Sequence, residues 1–416
     1  MVSREGQSAC RAKQKIDLLD ITVLLLLFSG PFLNCYLFLT NKVNLAGQLG
    51  VIYIIVAILA LIISLFSGNR FIPFRTLGVT VGLLMILASF FITKSLYSFQ
   101  VARFDSELKL YIATIPSVIL LSLCIYWKEK KDINLYYVFT LNAVLAIICG
   151  MVVVNSNGVT TAGLIFDTSG LLYQNTSYYA AYSFGMTVFL IQEKKIDDSF
   201  KVPAWILYVL IPLEIAVCFM AGGHGGFALL LALAVWAILV GKKDASEKRK
   251  MILTIIIAVI AFFYIVPNVI GLMGIDATGL ERTIRLITEG VNDQGRLSLW
   301  RNSMAEFSEK PILGNGIGSV FYLFNSYSHN MFVDILCETG VLGLLAVLCI
   351  LFLYAKRTKT LYSSGSMYRF LFMVFLCGFV MNLFSGYVWV NQQILLPISA
   401  TLILPKRFCV GEKVNE

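Results

Sequence analysis

The sequence predicts an all-α fold, a polytopic transmembrane helical bundle of about twelve spans with a large, partly helical extracytoplasmic loop. Three observations carry that expectation. The chain is 58% hydrophobic and only 14% charged, with a mean hydropathy of +0.81, whereas soluble domains carry about a quarter charged residues. Its apolar runs repeatedly reach the roughly 20 residues needed to cross a bilayer. Its basic residues fall in short clusters between those runs, the signature of membrane topology rather than of a nucleic-acid surface, despite a net charge of +9. Backbone polar groups in lipid must be satisfied inside their own segment, so the runs are helices.

The expected spans are 18–40, 45–66, 72–93, 109–127, 133–154, 173–192, 202–221, 225–241, 251–273, 330–354, 367–386 and 388–405. The first follows Arg4, Arg11, Lys13 and Lys15 as a signal peptide would, but no small-residue cleavage site follows it, so it reads as a retained helix. Orientation follows from lysine and arginine in short loops. With the N-terminus inside, alternate loops hold Arg70 and Arg75, Lys128 to Lys131, Lys194 and Lys195, Lys242 to Lys250, and Lys356 to Lys359; Lys406 and Arg407 follow the last span. About 24 of the 33 basic residues then lie on the cytoplasmic side, as do both termini. The exceptions are Lys42, the stretch 94–109 and the loop 274–329. The chain therefore divides into residues 1–273 with spans one to nine, an outer loop over 274–329 carrying the arginines and a histidine, and 330–416 with the last three spans and a cytoplasmic tail. Inside the loop, Leu297, Trp300, Met304 and Phe307 recur at helical spacing and predict an amphipathic helix laid against the membrane surface or the bundle.

Nine cysteines are scattered without a Cys-x-x-Cys pair, which favours buried thiols acting as small hydrophobes over metal or disulfide chemistry. No metal site and no cofactor are expected. The two histidines, His224 and His329, both fall on the outer side of this topology. His329 precedes Asn330, Asp334 and Glu338, which recur every four residues and make a polar stripe on one face of the tenth span. Acidic groups inside a span are costly and are functional candidates by default; the alternative is that Asp334 pairs with an arginine to hold the loop down. The outer loop supplies Arg282, Arg285, Arg296 and Arg301 against the charge rule, so something should compensate for them. A phosphate-bearing ligand would, because the planar guanidinium binds phosphate oxygens in pairs, at about 1.5–3 kcal/mol per charge-assisted bond. That ligand is favoured for Arg282 and Arg296, while a solvated loop face is the better reading of Arg301 and Lys310. Gly222 to Gly226, around His224, is either a tight helix-to-helix turn or a close approach to a ligand on the same side. Glu214, inside the seventh span, is a structural partner for another buried polar group or a shaper of the site.

Three linked elements resemble the bacterial O-antigen ligase/polymerase superfamily. They are Gly295-Arg-Leu-Ser-Leu-Trp300, Pro311-Ile-Leu-Gly-Asn-Gly-Ile-Gly318, and His329-Asn-Met-Phe-Val-Asp-Ile-Leu-Cys-Glu-Thr-Gly-Val-Leu-Gly343. They are similar, in order and spacing, to that family's Gly-Arg-x-x-x-Trp, Pro-x-x-Gly-x-Gly and His-Asn…Glu-x-Gly-x-x-Gly series. A weaker match places Asn175 in an Asn-x-Asn segment, with Ser177 in place of the second Asn. One departure stands out: where many members carry Ser-Arg-Gly, this chain reads Gly223-His-Gly, so His224 stands at the position of an arginine that helps hold the donor's diphosphate. A neutral imidazole there implies a different donor affinity or pH dependence.

The resemblance implies transfer of a glycan from an undecaprenyl-diphosphate carrier to a hydroxyl, on the outer face of the bacterial inner membrane, by a metal-independent inverting glycosyltransferase. On that reading Arg282 and Arg296 neutralise the diphosphate leaving group, and His329 accepts the acceptor's proton with a pKa near neutrality. Asp334 or Glu338 orients its imidazole. Arg285, His224, Asn330, Asp334, Glu338 and Asn175 bind substrate. The partners are the undecaprenyl-diphosphate-linked oligosaccharide, membrane lipid, and candidate flippase and chain-length regulator proteins; no nucleic acid is expected. A polymerase of lipid-linked repeats is preferred, with an O-antigen-type ligase to lipid A core or another surface acceptor as the first alternative. A lipid-linked oligosaccharide flippase is the second, although the repeated halves common in transporters are not visible.

Overall fold

The computed structural model describes residues 72–97, 99–128, 132–155, 172–194, 199–240 and 296–404, with short stretches between 19 and 31 and scattered positions at 55–59, 196 and 249–260. Most of the first, second and ninth expected spans, and the outer loop up to Gly295, including Arg282 and Arg285, lie outside the described residues. Among those described the chain is all helix, with no strand. In order the helices are α1 (Phe74–Leu96), α2 (Ala102–Trp127), α3 (Leu135–Asn155), α4 (Leu172–Glu193), α5 (Ala204–Met220), α6 (His224–Val240), α7 (Arg296–Glu309), α8 (Ser319–Phe324), α9 (Met331–Leu361), α10 (Ser366–Phe384) and α11 (Gln392–Ile403). Five of them, α1, α2, α3, α9 and α10, are long and apolar enough to cross a membrane. This is a membrane protein.

Local chemistry explains where the helices start and how they tolerate polar residues. Proline precedes α1 (Pro73) and α5 (Pro203) in extended conformation, a position where its missing N–H costs nothing. Prolines also sit inside α2 (Pro116), α5 (Pro212) and α11 (Pro397), as membrane helices allow. Hydroxyls in α2 bond back to their own helix, Thr114 to the Leu110 carbonyl at 2.8 Å and Ser122 to the Val118 carbonyl at 2.7 Å, so none needs water. Five of the six described cysteines, Cys124, Cys149, Cys218, Cys337 and Cys377, are buried, as expected of small hydrophobes.

Packing gathers the helices into two apolar clusters. One is centred on α3, α4, α5, α6 and α10. The other joins α1, α2, α8, the start of α9 and the segment Tyr387–Trp389 leading into α11. A polar knot locks the first from within: the Glu214 Oε1 on α5 lies 2.8 Å from the Ser183 hydroxyl, 2.7 Å from the Thr187 hydroxyl and 3.3 Å from the Asn142 amide nitrogen. Glu214 thus ties α3, α4 and α5 together, which makes it a structural partner for buried polar groups.

Loops expected on the cytoplasmic side meet at one end of the bundle. Lys128 pairs with Asp20, both buried, and Asp20 also accepts the Asn134 N–H at 3.0 Å. Arg369 grips Glu193 through two nitrogens, at 2.5 and 2.7 Å. Arg357 donates to the carbonyls of Thr401 and Leu402 at the end of α11 at 3.1 and 2.6 Å. A buried pair loses strongly when one partner is removed, so these contacts fix which helix ends lie together. The segments 97–103, 318–331 and 385–391 meet at the opposite end.

Candidate functional site

The site is built on a short turn between α8 and α9. Helix α8 ends at Asn325, in left-handed conformation with φ 51°, and His329 is left-handed as well, with φ 61°. For a residue with a side chain such a backbone costs about 1–3 kcal/mol and persists only where neighbours impose it. Here they do. The Trp300 indole N–H of α7 donates to the Ser328 carbonyl at 2.8 Å. Asp334 Oδ1 accepts the Ser328 N–H at 2.8 Å, and the Tyr327 hydroxyl donates to the Ser385 carbonyl at the end of α10. Three helices therefore hold the residues on the N-terminal side of His329. On its other side, Asn330 caps α9 by accepting the N–H groups of Phe332 (3.0 Å) and Val333 (3.4 Å).

The imidazole lies against the Tyr327 ring, with centroids 4.5 Å apart, and its Nδ1 is buried without a hydrogen-bond partner among the described residues. Burial, with the positive charges of Arg296 and Arg103 added, pushes its pKa down to about 4. The near-neutral pKa expected of this histidine is therefore not that of the free protein; two guanidinium groups and burial outweigh solvation. Burial likewise pushes the Tyr327 phenol up to about 12.

The polar stripe after His329 is present, but its members are committed elsewhere. Asn330 spends its side-chain oxygen on the helix cap. Asp334 holds the backbone of the turn rather than the imidazole. Glu338, fully buried, accepts the Gly318 N–H at 2.9 Å, the Tyr387 hydroxyl at 2.8 Å and the Trp389 indole N–H at 2.6 Å. Neither carboxylate hydrogen-bonds to the His329 ring, so the orienting role expected of them passes to Trp300, Tyr327 and the turn itself. The alternative of an arginine partner for Asp334 is not met among the described residues either; Oδ1 takes the Ser328 N–H and Oδ2 has no hydrogen-bond partner there.

Glu338 belongs to an interlock between the glycine-rich elements. Helix α9 breaks at Gly340, whose φ of 63° and ψ of −164° are not helical. The backbone groups freed there are taken up by the 311–316 segment. The Asn315 N–H donates to the Cys337 carbonyl (3.0 Å) and the Gly316 N–H to the Glu338 carbonyl (2.7 Å); the Val341 N–H donates to the Pro311 carbonyl (2.9 Å). Gly314 approaches so closely that a Cβ there would meet the Glu338 carbonyl carbon at 2.4 Å, and one on Gly340 would meet the Ile312 carbonyl oxygen at 2.4 Å. Pro-x-x-Gly-x-Gly and Glu-x-Gly are thus two halves of one packed unit.

A second glycine cluster packs α6 onto α4. The Ser177 hydroxyl lies 3.1 Å from the carbonyls of both Cys218 and Gly223, and a Cβ on Gly226 would meet its oxygen at 2.1 Å. A Cβ on Gly225 would fall 1.7 Å from the Tyr178 hydroxyl oxygen. Tyr178 lies within electrostatic reach of Arg296 and Tyr327, which places this turn beside the histidine site. His224 begins α6, and Asn175 is half-buried in the first turns of α4. The glycines serve close helix packing here.

Helix α7 appears where the loop periodicity places it, yet only Ser303 is buried; Leu297 and Met304 are 48% and 38% exposed. Trp300 and Phe307 of the stripe are half-buried, Leu297 and Met304 are not, and Trp300 turns its indole to the turn. Arg301 and Lys310 are exposed, as a solvated face requires. Arg296 is half-buried and makes no side-chain hydrogen bond or salt bridge among the described residues. The sequence reading missed Arg103, in the first turn of α2, whose guanidinium carbon lies 5.3 Å from the Tyr327 ring centroid and 5.9 Å from that of Phe321. The signal was there: 94–109 breaks the charge rule, and Lys94 alone is accounted for by Asp105, at 2.6 Å.

Residues 207–348, from α5 into α9, match the family model described as O-Antigen ligase. The match supports the resemblance of this region to the O-antigen ligase/polymerase superfamily. The superfamily match contains His224, Arg282, Arg285, Arg296 and His329, together with the whole Pro311–Gly343 interlock; Asn175 and Arg103 fall outside it. No curated protein and no solved structure shows significant similarity to the chain.

Because Trp300 hydrogen-bonds the histidine turn from α7, Trp300→Phe is expected to keep most of the packing and lose that bond. Such a bond contributes about 0.5–1.5 kcal/mol, so we expect transfer activity to fall several-fold to about tenfold with little change in thermal stability. Rates measured beside melting temperatures in detergent check this.

Proposed function

We propose that the chain is an envelope polysaccharide polymerase. It transfers a glycan from an undecaprenyl-diphosphate-linked donor to a hydroxyl of a lipid-linked repeat, on the extracytoplasmic face of the bacterial inner membrane. The observation that carries this reading is the meeting of an unpaired guanidinium, Arg296, with an imidazole held in an imposed left-handed turn, inside the region that matches the superfamily. Arg296, with Arg282 from the outer loop, would hold the diphosphate and stabilise the charge that grows on it as the glycosidic bond breaks. His329 would take the acceptor hydroxyl's proton through a ring nitrogen. The attack comes from the face opposite the leaving group, so the anomeric centre inverts, and no metal takes part. Arg285, His224 and Asn175 would line the substrate path.

A second reading is a ligase that moves a finished glycan to lipid A core or another surface acceptor, in keeping with the matching family, O-Antigen ligase. Deletion of the gene separates the two on a gel of surface polysaccharide. Loss of the chain-length ladder, with single repeats still reaching the surface, supports the polymerase. Long lipid-linked chains accumulating instead would support the ligase, and repeats trapped on the cytoplasmic leaflet would overturn both.

The depressed His329 pKa has a pH consequence. In the free protein the ring stays neutral down to about pH 4, so the acid limb of kcat/KM due to this group is expected near 4 rather than 6.5. A bound diphosphate offsets the guanidinium charges, so the acid limb of kcat should lie at higher pH, because kcat/KM reports the free protein and kcat the complex. Parallel pH profiles of the two constants check the separation.

A further inference from the structure

Two cations flank the His329 turn, and only one of them was expected. Arg296 enters from α7; Arg103 enters from α2, a helix remote in sequence and outside the region matching the superfamily. Neither makes a salt bridge among the described residues. Both positive charges act on the same imidazole and on the Tyr327 phenol, and charges of one sign facing one turn raise each other's energy. Arg103 is solvent-exposed, yet its position is defined, because its guanidinium lies over the rings of Phe321 and Tyr327. Those rings are themselves packed edge-to-face with a 6.3 Å centroid separation, and Tyr327 is anchored to Ser385. The nearest carboxylates on α2 do not satisfy it. Asp105 is paired to Lys94, and Glu107, one turn on, is not within salt-bridge distance. Two guanidiniums without salt bridges, both acting on the His329 turn, offer two prongs to an anion, and a diphosphate carries its charge over two phosphorus centres.

We propose that Arg103 is a diphosphate-binding residue of this site, acting with Arg296 across the Tyr327–His329 turn. The inference rests on the transferase reading above and adds to it a cation from a different helix. It also gives α2 a part in the chemistry: by fixing Arg103 over Phe321 and Tyr327, the second apolar cluster sets the spacing of the two prongs. The donor diphosphate then bridges α2 and α7, so that binding itself secures the outer segment to the bundle.

The test uses full-length protein in nanodiscs and farnesyl diphosphate as the probe. Arg103→Gln and Arg296→Gln are each expected to weaken binding about tenfold or more. Arg103→Lys should also weaken it, since a point charge lacks the paired donors. Glu107→Gln should bind as well as wild type or better, because it removes a neighbouring negative charge. Titration of His329 by NMR provides a second readout, with its pKa rising in Arg103→Gln as one positive charge leaves. Wild-type affinity in Arg103→Gln, alongside weak binding by Arg296→Gln, would overturn the assignment of Arg103 while leaving the transferase reading intact. An equal loss in Glu107→Gln would show instead that Arg103 serves an ion pair within α2. No binding by the wild-type protein would overturn the diphosphate site as a whole.

Discussion

Replacing His329 with alanine is expected to lower glycan transfer by at least about 100-fold, the range for removing a positioned general base. The expectation rests on the turn rather than on the residue type alone. Its backbone is held left-handed by contacts from α7, α9 and α10, while the ring makes no hydrogen bond among the described residues. A side chain that contributes little to the hydrogen bonding of the fold, on a backbone that the fold works to hold, is arranged for a substrate. His329→Ala should therefore accumulate and melt like wild type while failing to restore the surface-polysaccharide ladder in a deletion strain. Complementation with matched expression measures it, and a fully restored ladder would remove His329 as the base.

Glu338→Ala is expected to have the opposite signature, a large loss of stability. Its buried carboxylate takes up three donors, the Gly318 N–H, the Tyr387 hydroxyl and the Trp389 indole N–H. Each buried donor left unsatisfied costs about 1–3 kcal/mol, so the sum is comparable with the roughly 5–15 kcal/mol that holds a typical domain together. The variant should fail to accumulate as a monodisperse species in detergent. Glu338→Gln keeps an acceptor oxygen but sets an amide N–H against donors, and should fall between the two. Size-exclusion profiles and melting temperatures decide; a well-folded Glu338→Ala with activity lost would return this residue to substrate binding.

Much of the fold was legible because the bilayer imposes a simple grammar. Run length alone placed α1, α3 and α10 to within a few residues of their ends and the start of α9 to within one, although α9 runs on to Leu361, past the expected end at 354; the charge clusters sorted the loops into those that meet around Asp20, Glu193 and Arg369. The motif elements around His329 were found by resemblance, and Arg296 and Trp300 do converge on that turn. What the spacing concealed was which partner each polar group would find. Asn330, Asp334 and Glu338 share a helix face, yet the first caps the helix, the second holds an amide and the third holds a loop, because the break at Gly340 brings residues 311–318 against α9. A period of four reports a common face and says nothing of what packs on it. The periodic apolar residues of α7 did announce a helix, and with Leu297 and Met304 exposed the stripe is left to the membrane-surface alternative rather than to burial in the bundle. Arg103 escaped because its neighbours are distant in sequence: nothing local to residue 103 announces rings at positions 321 and 327.

The most direct measurement is transfer by the purified protein in proteoliposomes supplied with polyprenyl-diphosphate-linked repeat units. The account predicts that wild-type protein lengthens the glycan while releasing polyprenyl diphosphate. It also predicts that Arg296→Lys, which keeps the charge but loses the paired donors, retains only a small fraction of that rate. Normal turnover by Arg296→Lys would contradict the paired phosphate contact, and no release of polyprenyl diphosphate by the wild-type protein would contradict the transferase itself.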